Sequence, residues 1–318
     1  MKKRNSLIEL YRFFFALNVV KSHGFFPEGF HYFSPGRVSV EFFFVLSGYL
    51  FWRTLEKLRD LPLRESLVRL LVGKLRPLLF PLVLGLLSNL IYNIVDGDYF
   101  SGVWGYLWYV HAMLIMMIVY VVLRRLIKSD KAFFYTVLGI CVAATLMRFS
   151  GVFYSWGYVR AAATLSLGML LTKIPNISDR LHWISYVAVP CLAATCLAIV
   201  CFHLGNIEWW GGFMGVELIL DTVLYPMLIY FTFQLDVSCP LLDYLGALSF
   251  GLYAFQCPAD LLRVLGVENR YILLAFIVLA TITEDAAKRI RKHQKDKRAL
   301  SEVAYGTSQK KQTSNELE

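Results

Sequence analysis

The stretch Leu7 to Phe26, LIELYRFFFALNVVKSHGFF, limits what this chain can be more than any other, because it is long enough to cross a bilayer yet carries Glu9, Arg12, Lys21 and His23. In hydrocarbon each such group costs ~2.5–3.5 kcal/mol at depth, so by default it faces a protein interior or a wet cavity. A helix turns about 100° per residue, so Arg12 and His23 return to within roughly 20° of each other, about 16 Å apart along one face. Glu9 lies on the same stripe, one turn before Arg12. Taken alone, these charges also fit a simpler arrangement, in which Arg12 snorkels to the boundary, Glu9 pairs with it and His23 sits idle in the opposite headgroup region. Polar groups on other segments argue for a shared interior.

Across its 318 residues the chain is 57% hydrophobic, with a mean hydropathy of +0.54, far too apolar for a soluble domain. This composition predicts an all-α, polytopic integral membrane protein. Apolar stretches of about twenty residues occur at 7–26, 38–54, 77–95, 107–123, 132–149, 157–172, 183–203, 213–234, 241–257 and 270–286, so about ten transmembrane helices are expected. The first begins close to Met1 without a small-residue cleavage site, which reads as a retained helix. Glu284 and Asp285 fall near the end of the last.

The net charge of +9 follows topology rather than any nucleic-acid partner. With the N-terminus inside, twenty-five of the thirty-two Lys and Arg fall on the cytoplasmic side, as resistance of basic residues to translocation requires. Both termini are therefore expected in the cytoplasm, in a multi-pass protein of the inner or plasma membrane. Arg12, Lys21, Arg37, Arg148, Arg160, Arg263 and Arg270 are the exceptions, spread through spans and outer connections. Residues 1–287 read as one transmembrane domain and 288–318 as a basic, then polar cytoplasmic tail, disordered or bound to the lipid surface. The six cysteines show neither a metal nor a disulfide pattern.

The second stretch, VSVEFFFVLSGYLFWRTL, runs from outside to inside and brings Glu41 in near the outer end, at about the depth of His23. A carboxylate beside an imidazole fixes its tautomer and supports the imidazolium, the usual arrangement for a general base. A structural ion pair, or pairing of Glu41 with Lys21 or Arg37, is the alternative. His111 beside Trp108 and Tyr109, and Gln256 at the end of the ninth stretch, bring polar groups to a similar level, so four helices point to one outward-facing pocket. At the inner side, RESLVRLLVGKLRPLLFP places Arg64, Arg69, Lys74 and Arg76 where positive-inside bias and lipid attraction explain most of them. A phosphate-binding mouth is the functional alternative. The outer connections, rich in Trp and Tyr, read as interfacial belts that can also stack sugar rings.

Several of these motifs together resemble the membrane-bound acyltransferase-3 family. They are Arg12 and His23 with ten residues between them, SVEFFFVLSGYLF, KLRPLLFP, LWYVHAML, LSLGMLLTK and YLGALSFGLYAFQCP, spread over about residues 7–260. The resemblance implies a ten-helix membrane enzyme that moves an acyl group, usually acetyl, from cytoplasmic acyl-CoA to a hydroxyl of a cell-surface or exported polysaccharide or lipid-linked sugar. It implies catalysis at His23 and donor binding at Arg12; Glu41, expected at about the same depth, is the candidate that would orient the imidazole. Arg69, Lys74 and Arg76 join Arg12 as candidates for the phosphates of CoA, and Trp108, Tyr109, His111 and Gln256 as candidates for the acceptor. Acyl-CoA is then a donor substrate and no metal is expected; the partners are the donor, the glycan acceptor and the bilayer, with a homo-oligomer left open. The chain departs from the family in three places. Ser39-Val40-Glu41 stands where Gly-Val-Asp is usual, keeping charge but changing reach. His111 follows Trp108-Tyr109-Val110 where many members have Trp-Ser-Leu and a Glu, and Gln256-Cys257 precedes Pro258 where His is common.

Two readings of another class stay open at this point. A transporter or flippase could use Glu9, Arg12, Glu41 and His23 as a proton or substrate path, although no internal repeat of the kind common in transporters is evident. A purely structural membrane protein would bind no acyl-CoA.

Overall fold

The computed structural model describes residues 5–26, 36–96, 107–150, 157–202 and 213–315. Most of the four aromatic connections lie outside these residues. Among the described residues every regular element is helical: α1 (Ser6–Ser22), α2 (Gly36–Leu58), α3 (Leu63–Leu75), α4 (Leu79–Asp96), α5 (Trp108–Leu126), α6 (Asp130–Phe149), α7 (Gly157–Leu171), α8 (Trp183–Phe202), α9 (Phe213–Ile219), α10 (Tyr225–Thr232), α11 (Pro240–Ala254), α12 (Gln256–Val264) and α13 (Arg270–Asn315). A π-helical turn, Leu220–Leu224, joins α9 to α10.

Five helical stretches among the described residues are long and apolar enough to cross a membrane: 38–58, 108–126, 130–149, 183–200 and 215–232. A sixth results if α3 and α4, bent by 80° at their junction, count as one. The remaining expected spans fall short for identifiable reasons. α1 holds three charges in 17 residues, α7 and α11 have 15 residues each, and α13 carries Arg270, Glu284 and Asp285. Two helices were not expected as such. α3 and α12 are too short and too polar to register in a search for apolar twenty-residue runs. α13 also continues to Asn315, through the segment that reads as a disordered or lipid-bound tail. Its strong helix formers explain this, helped by the Glu284–Lys288 and Asp285–Arg289 pairs four residues apart.

α2 is the most enclosed of the long helices. Phe42, Phe44, Val45 and Phe51 are fully buried, and its side chains join two hydrophobic clusters. Apolar side chains gain little by leaving lipid for protein, so helix association in a bilayer depends on close packing and polar bonds. Both occur here. A side-chain carbon at Gly48 would collide with the main chain of Leu165, and one at Gly168 with that of Val45, so α2 and α7 cross at backbone contact.

Contacts fix relative direction. α2 runs against α1, since Gly36 meets Ser22 and Phe15 meets Phe42. α11 runs with α1, because Ser6 bonds Asp243 and Glu9 lies on Gly246. α13 runs against α11, with Gly251 on Thr281 and Arg289 over Tyr244. The bundle thus has a basic end, carrying Asn5, Lys74 and Arg289, and an opposite end carrying His23.

Candidate active site

α1 starts where its capping chemistry dictates. Asn5 accepts from the amides of Leu7 and Ile8, satisfying donors that a helix N-terminus leaves open. Its own amide group donates to the main-chain oxygens of Thr232 (2.9 Å) and Leu235 (2.7 Å). Ser6 Oγ donates to Asp243 at 2.7 Å and accepts from the Cys239 amide at 2.7 Å. The first turn of α1 is therefore tied both to the segment after α10 and to the start of α11.

Two turns further, Arg12 donates to Glu9 at 2.7 Å, with the Arg12 side chain 29% exposed. What Arg12 faces is a cavity of about 530 Å³ at the basic end, between α1, α2 and the segment after α10. Asn5, Glu9, Arg12, Arg53, Gln234 and Asp236 supply its polar lining. Arg53 was not among the residues expected here, although its place at the inner end of the second stretch was a usable signal. On another side, the Arg12 guanidinium lies within electrostatic reach of the Lys74 ammonium. Lys74, on α3 before the bend into α4 and outside the five single-helix spans, has its pKa pulled below the usual lysine value, first by burial and then by that guanidinium.

The four cations expected to hold donor phosphates are divided. Arg12 and Lys74 come together. Arg69 is spent on Glu65 at 2.6 Å on the exposed face of α3, and Arg76 opens into a separate groove between α4 and α13.

Between Arg12 and His23 the same face of α1 presents Ala16 and Val19, 0% and 1% exposed. Val19 packs in the cluster that includes Phe44, Tyr109 and Tyr253, and Ala16 in one with Leu252 and Phe255. This wall therefore faces protein and not lipid, and its middle is filled by packed side chains. His23 caps the helix end, followed by Gly24 at φ 79°, a left-handed turn that glycine accommodates without strain. The charge closest to it in influence is Arg263 of α12, which sits 5.2 Å over the Phe25 ring and pairs with Asp260.

Glu41 stands elsewhere, which corrects the expectation that it orients His23. Gly36 is level with Ser22, so Glu41, five residues on, lies about 8 Å deeper in the bundle. Ser39 faces α1, where it accepts from Asn18 at 2.8 Å. Two residues later the helix has turned by about 200°, and Glu41 faces α6 and α7. There its carboxylate accepts from Arg148 at 2.7 Å and Arg160 at 2.5 Å. Arg148 also reaches Asp221 at 2.8 Å, and Arg160 reaches Glu217 at 2.8 Å. All five side chains are at most 2% exposed. Glu217 and Asp221 were missed by sequence reasoning. The signal was present, since Arg148 and Arg160 lie at or inside apolar stretches and require partners of opposite charge at similar depth.

The remaining expected residues have separate partners. Trp108 and Tyr109 pack on Phe44, with centroids 6.1 Å and 4.8 Å away. Tyr109 also meets Tyr253 edge-on at 5.8 Å. His111 Nδ1 lies 3.0 Å from the Tyr158 hydroxyl on α7. Gln256, fully buried, begins α12 and donates to the Leu252 carbonyl at 3.1 Å. Tyr109 and Gln256 thus approach the α1–α11 side of the bundle, while His111 turns toward α7.

The family model described as an acyltransferase domain matches residues 5–283. Comparison with curated proteins and with solved structures gives no match.

Proposed function

Because the chain belongs to the acyltransferase-3 family, we propose that it carries an acyl group, in the simplest case acetyl, from cytoplasmic acyl-CoA to a hydroxyl of a cell-surface or exported glycan. The topology that goes with this reading has ten crossings of the cell membrane and both termini in the cytoplasm. It is supported by the alternating helix directions and by the gathering of Asn5, Lys74 and Arg289 at one end. The observation that carries the reading is the α1 wall: Arg12 opens on a cavity at the basic end, His23 lies at the other, and the residues between them are turned to protein.

In this account the phosphates of the donor meet Arg12, Lys74 and Arg53, guanidinium and ammonium groups suited to phosphate oxygens. The pantetheine arm has roughly the 16 Å of the helix rise to cover. Val19 and the aromatic side chains around it must move aside for that arm to pass. His23 takes the proton of the acceptor hydroxyl, whose oxygen attacks the thioester carbonyl carbon. The C–S bond breaks, the imidazolium returns its proton to the departing thiolate, and the ester product leaves from the His23 end. A covalent acyl-His intermediate is a variant of the same scheme. Arg263, whose charge acts on His23, and its partner Asp260 lie on this side of the bundle. Trp108, Tyr109 and Gln256 are the acceptor-side candidates, with His111 further round.

A proton path through Glu41 and His23, as a transporter would need, fits less well with a Glu41 carboxylate already held by two arginines. Mass spectrometry of surface polysaccharide from cells with and without the protein tests the proposal. A mass difference of one acyl group per modified sugar is expected; identical glycans would contradict it.

A further inference from the structure

A second large cavity is unconnected with His23 or Arg12. It is a groove of about 1020 Å³ between α4 and α13. Its α4 wall presents Leu79, Phe80, Val83 and Leu87, between 45% and 57% exposed. These recur at one-turn spacing on one helix face, and in a membrane protein such a face meets acyl chains. One end of the groove is different. Arg76, just before α4, and Lys288 and Arg291 of α13 all line it. Glu284 engages Lys288 at 2.6 Å. Three cations against one carboxylate leave two positive charges in excess.

The placement matters as much as the composition. Because Arg289 lies over Tyr244 near the start of α11, Lys288 and Arg291 are level with the basic end of the bundle. The apolar wall runs from there toward the His23 end. Cations at a membrane boundary, with an apolar strip leading inward, complement an amphiphile whose negative charge is at its head.

We propose that the α4–α13 groove binds an anionic phospholipid of the leaflet at the basic end, its phosphate between Arg76, Lys288 and Arg291 and an acyl chain along Phe80, Val83 and Leu87. A free phosphate shares the head chemistry but leaves the apolar strip unused. The site is independent of the acyl-transfer reading.

The test is native mass spectrometry of the full chain released from nanodiscs of phosphatidylcholine alone or mixed with phosphatidylglycerol. Phosphatidylglycerol should remain bound in excess over its share of the bilayer. Arg76→Gln and Arg291→Gln should each reduce that excess roughly fivefold, as a loss of about one cation's attraction implies. Val83→Trp should reduce it with every cation in place. Glu284→Gln, which removes the opposing carboxylate, should increase it, a gain that misfolding cannot mimic. Retention of the two lipids in bilayer proportion would overturn the proposal. So would an excess unaffected by the Arg76→Gln, Arg291→Gln double variant, or displacement of the lipid by inorganic phosphate.

Discussion

Gly246 of α11 lies directly against Glu9 of α1: a side-chain carbon at 246 would stand 2.8 Å from the Glu9 Cα and overlap its carboxylate. The missing side chain is what lets Glu9 keep its hold on Arg12 at 2.7 Å while two parallel helices touch. Gly246→Val should therefore separate α1 from α11, at a cost of about 1–3 kcal/mol for overpacking, and weaken CoA binding alongside. Thermal unfolding and CoA titration of the purified variant check this. A wild-type melting temperature with wild-type affinity would contradict it.

Arg53 lines the cavity, whereas Arg69 lies on the exposed face of α3. Arg53→Ala should raise the apparent KM for the acyl donor roughly tenfold, the scale of one charge-assisted bond to phosphate, with kcat little changed. Arg69→Ala should leave both near wild type, because Arg69 is exposed and already paired with Glu65. Steady-state kinetics with varied donor concentration reads the difference.

Lys74 predicts a pH dependence. Its folded-state pKa is depressed below the ordinary lysine value of 10.5, first by burial and then by Arg12. Between that depressed value and 10.5 the unfolded chain binds more protons than the folded one, so this residue makes the protein more stable as pH rises through the window. Donor phosphate favours the charged ammonium, so CoA affinity should fall over the same rise. In Lys74→Arg the fall should disappear, because guanidinium stays charged. An identical decline in both proteins would exclude Lys74 as its source.

The Glu41 cluster is a structural lock. Arg160→Met leaves Glu41 and Glu217, both fully buried, each short of one partner. Removing one member of a buried ion pair costs about 3–5 kcal/mol. A lower melting temperature is expected, together with loss of activity that Arg160→Lys restores only partly, since ammonium lacks the two-pronged geometry. Loss of activity in a variant of undiminished stability would instead point to a role in the chemistry.

Much of this arrangement could be read from apolar periodicity and charge. Apart from the last, which the structure extends to Asn315, the helical stretches fall within a few residues of observed helical segments, and the Arg12–His23 face follows from helix rotation alone. Side-chain partners across helices were harder. Glu41 looked level with His23 because Val38 opens an apolar run, whereas the helix starts at Gly36, opposite Ser22, and turns Glu41 away from α1. Arg53 hid among basic residues that topology alone explains. Glu217 and Asp221 hid in an apolar stretch, where only counting the buried arginines would have exposed them. α12 carries its polar side chains on a short amphipathic helix, which no search for spans detects.

The central claim is that His23 removes the acceptor proton at the far end of a wall that Arg12 begins. The most direct measurement is the acyl content of surface glycan, by mass spectrometry, from cells making equal amounts of wild-type or His23→Ala protein, with CoA binding measured on both. The account predicts that acylation disappears in the variant while CoA binding stays within about twofold. Unchanged acylation in His23→Ala would contradict it.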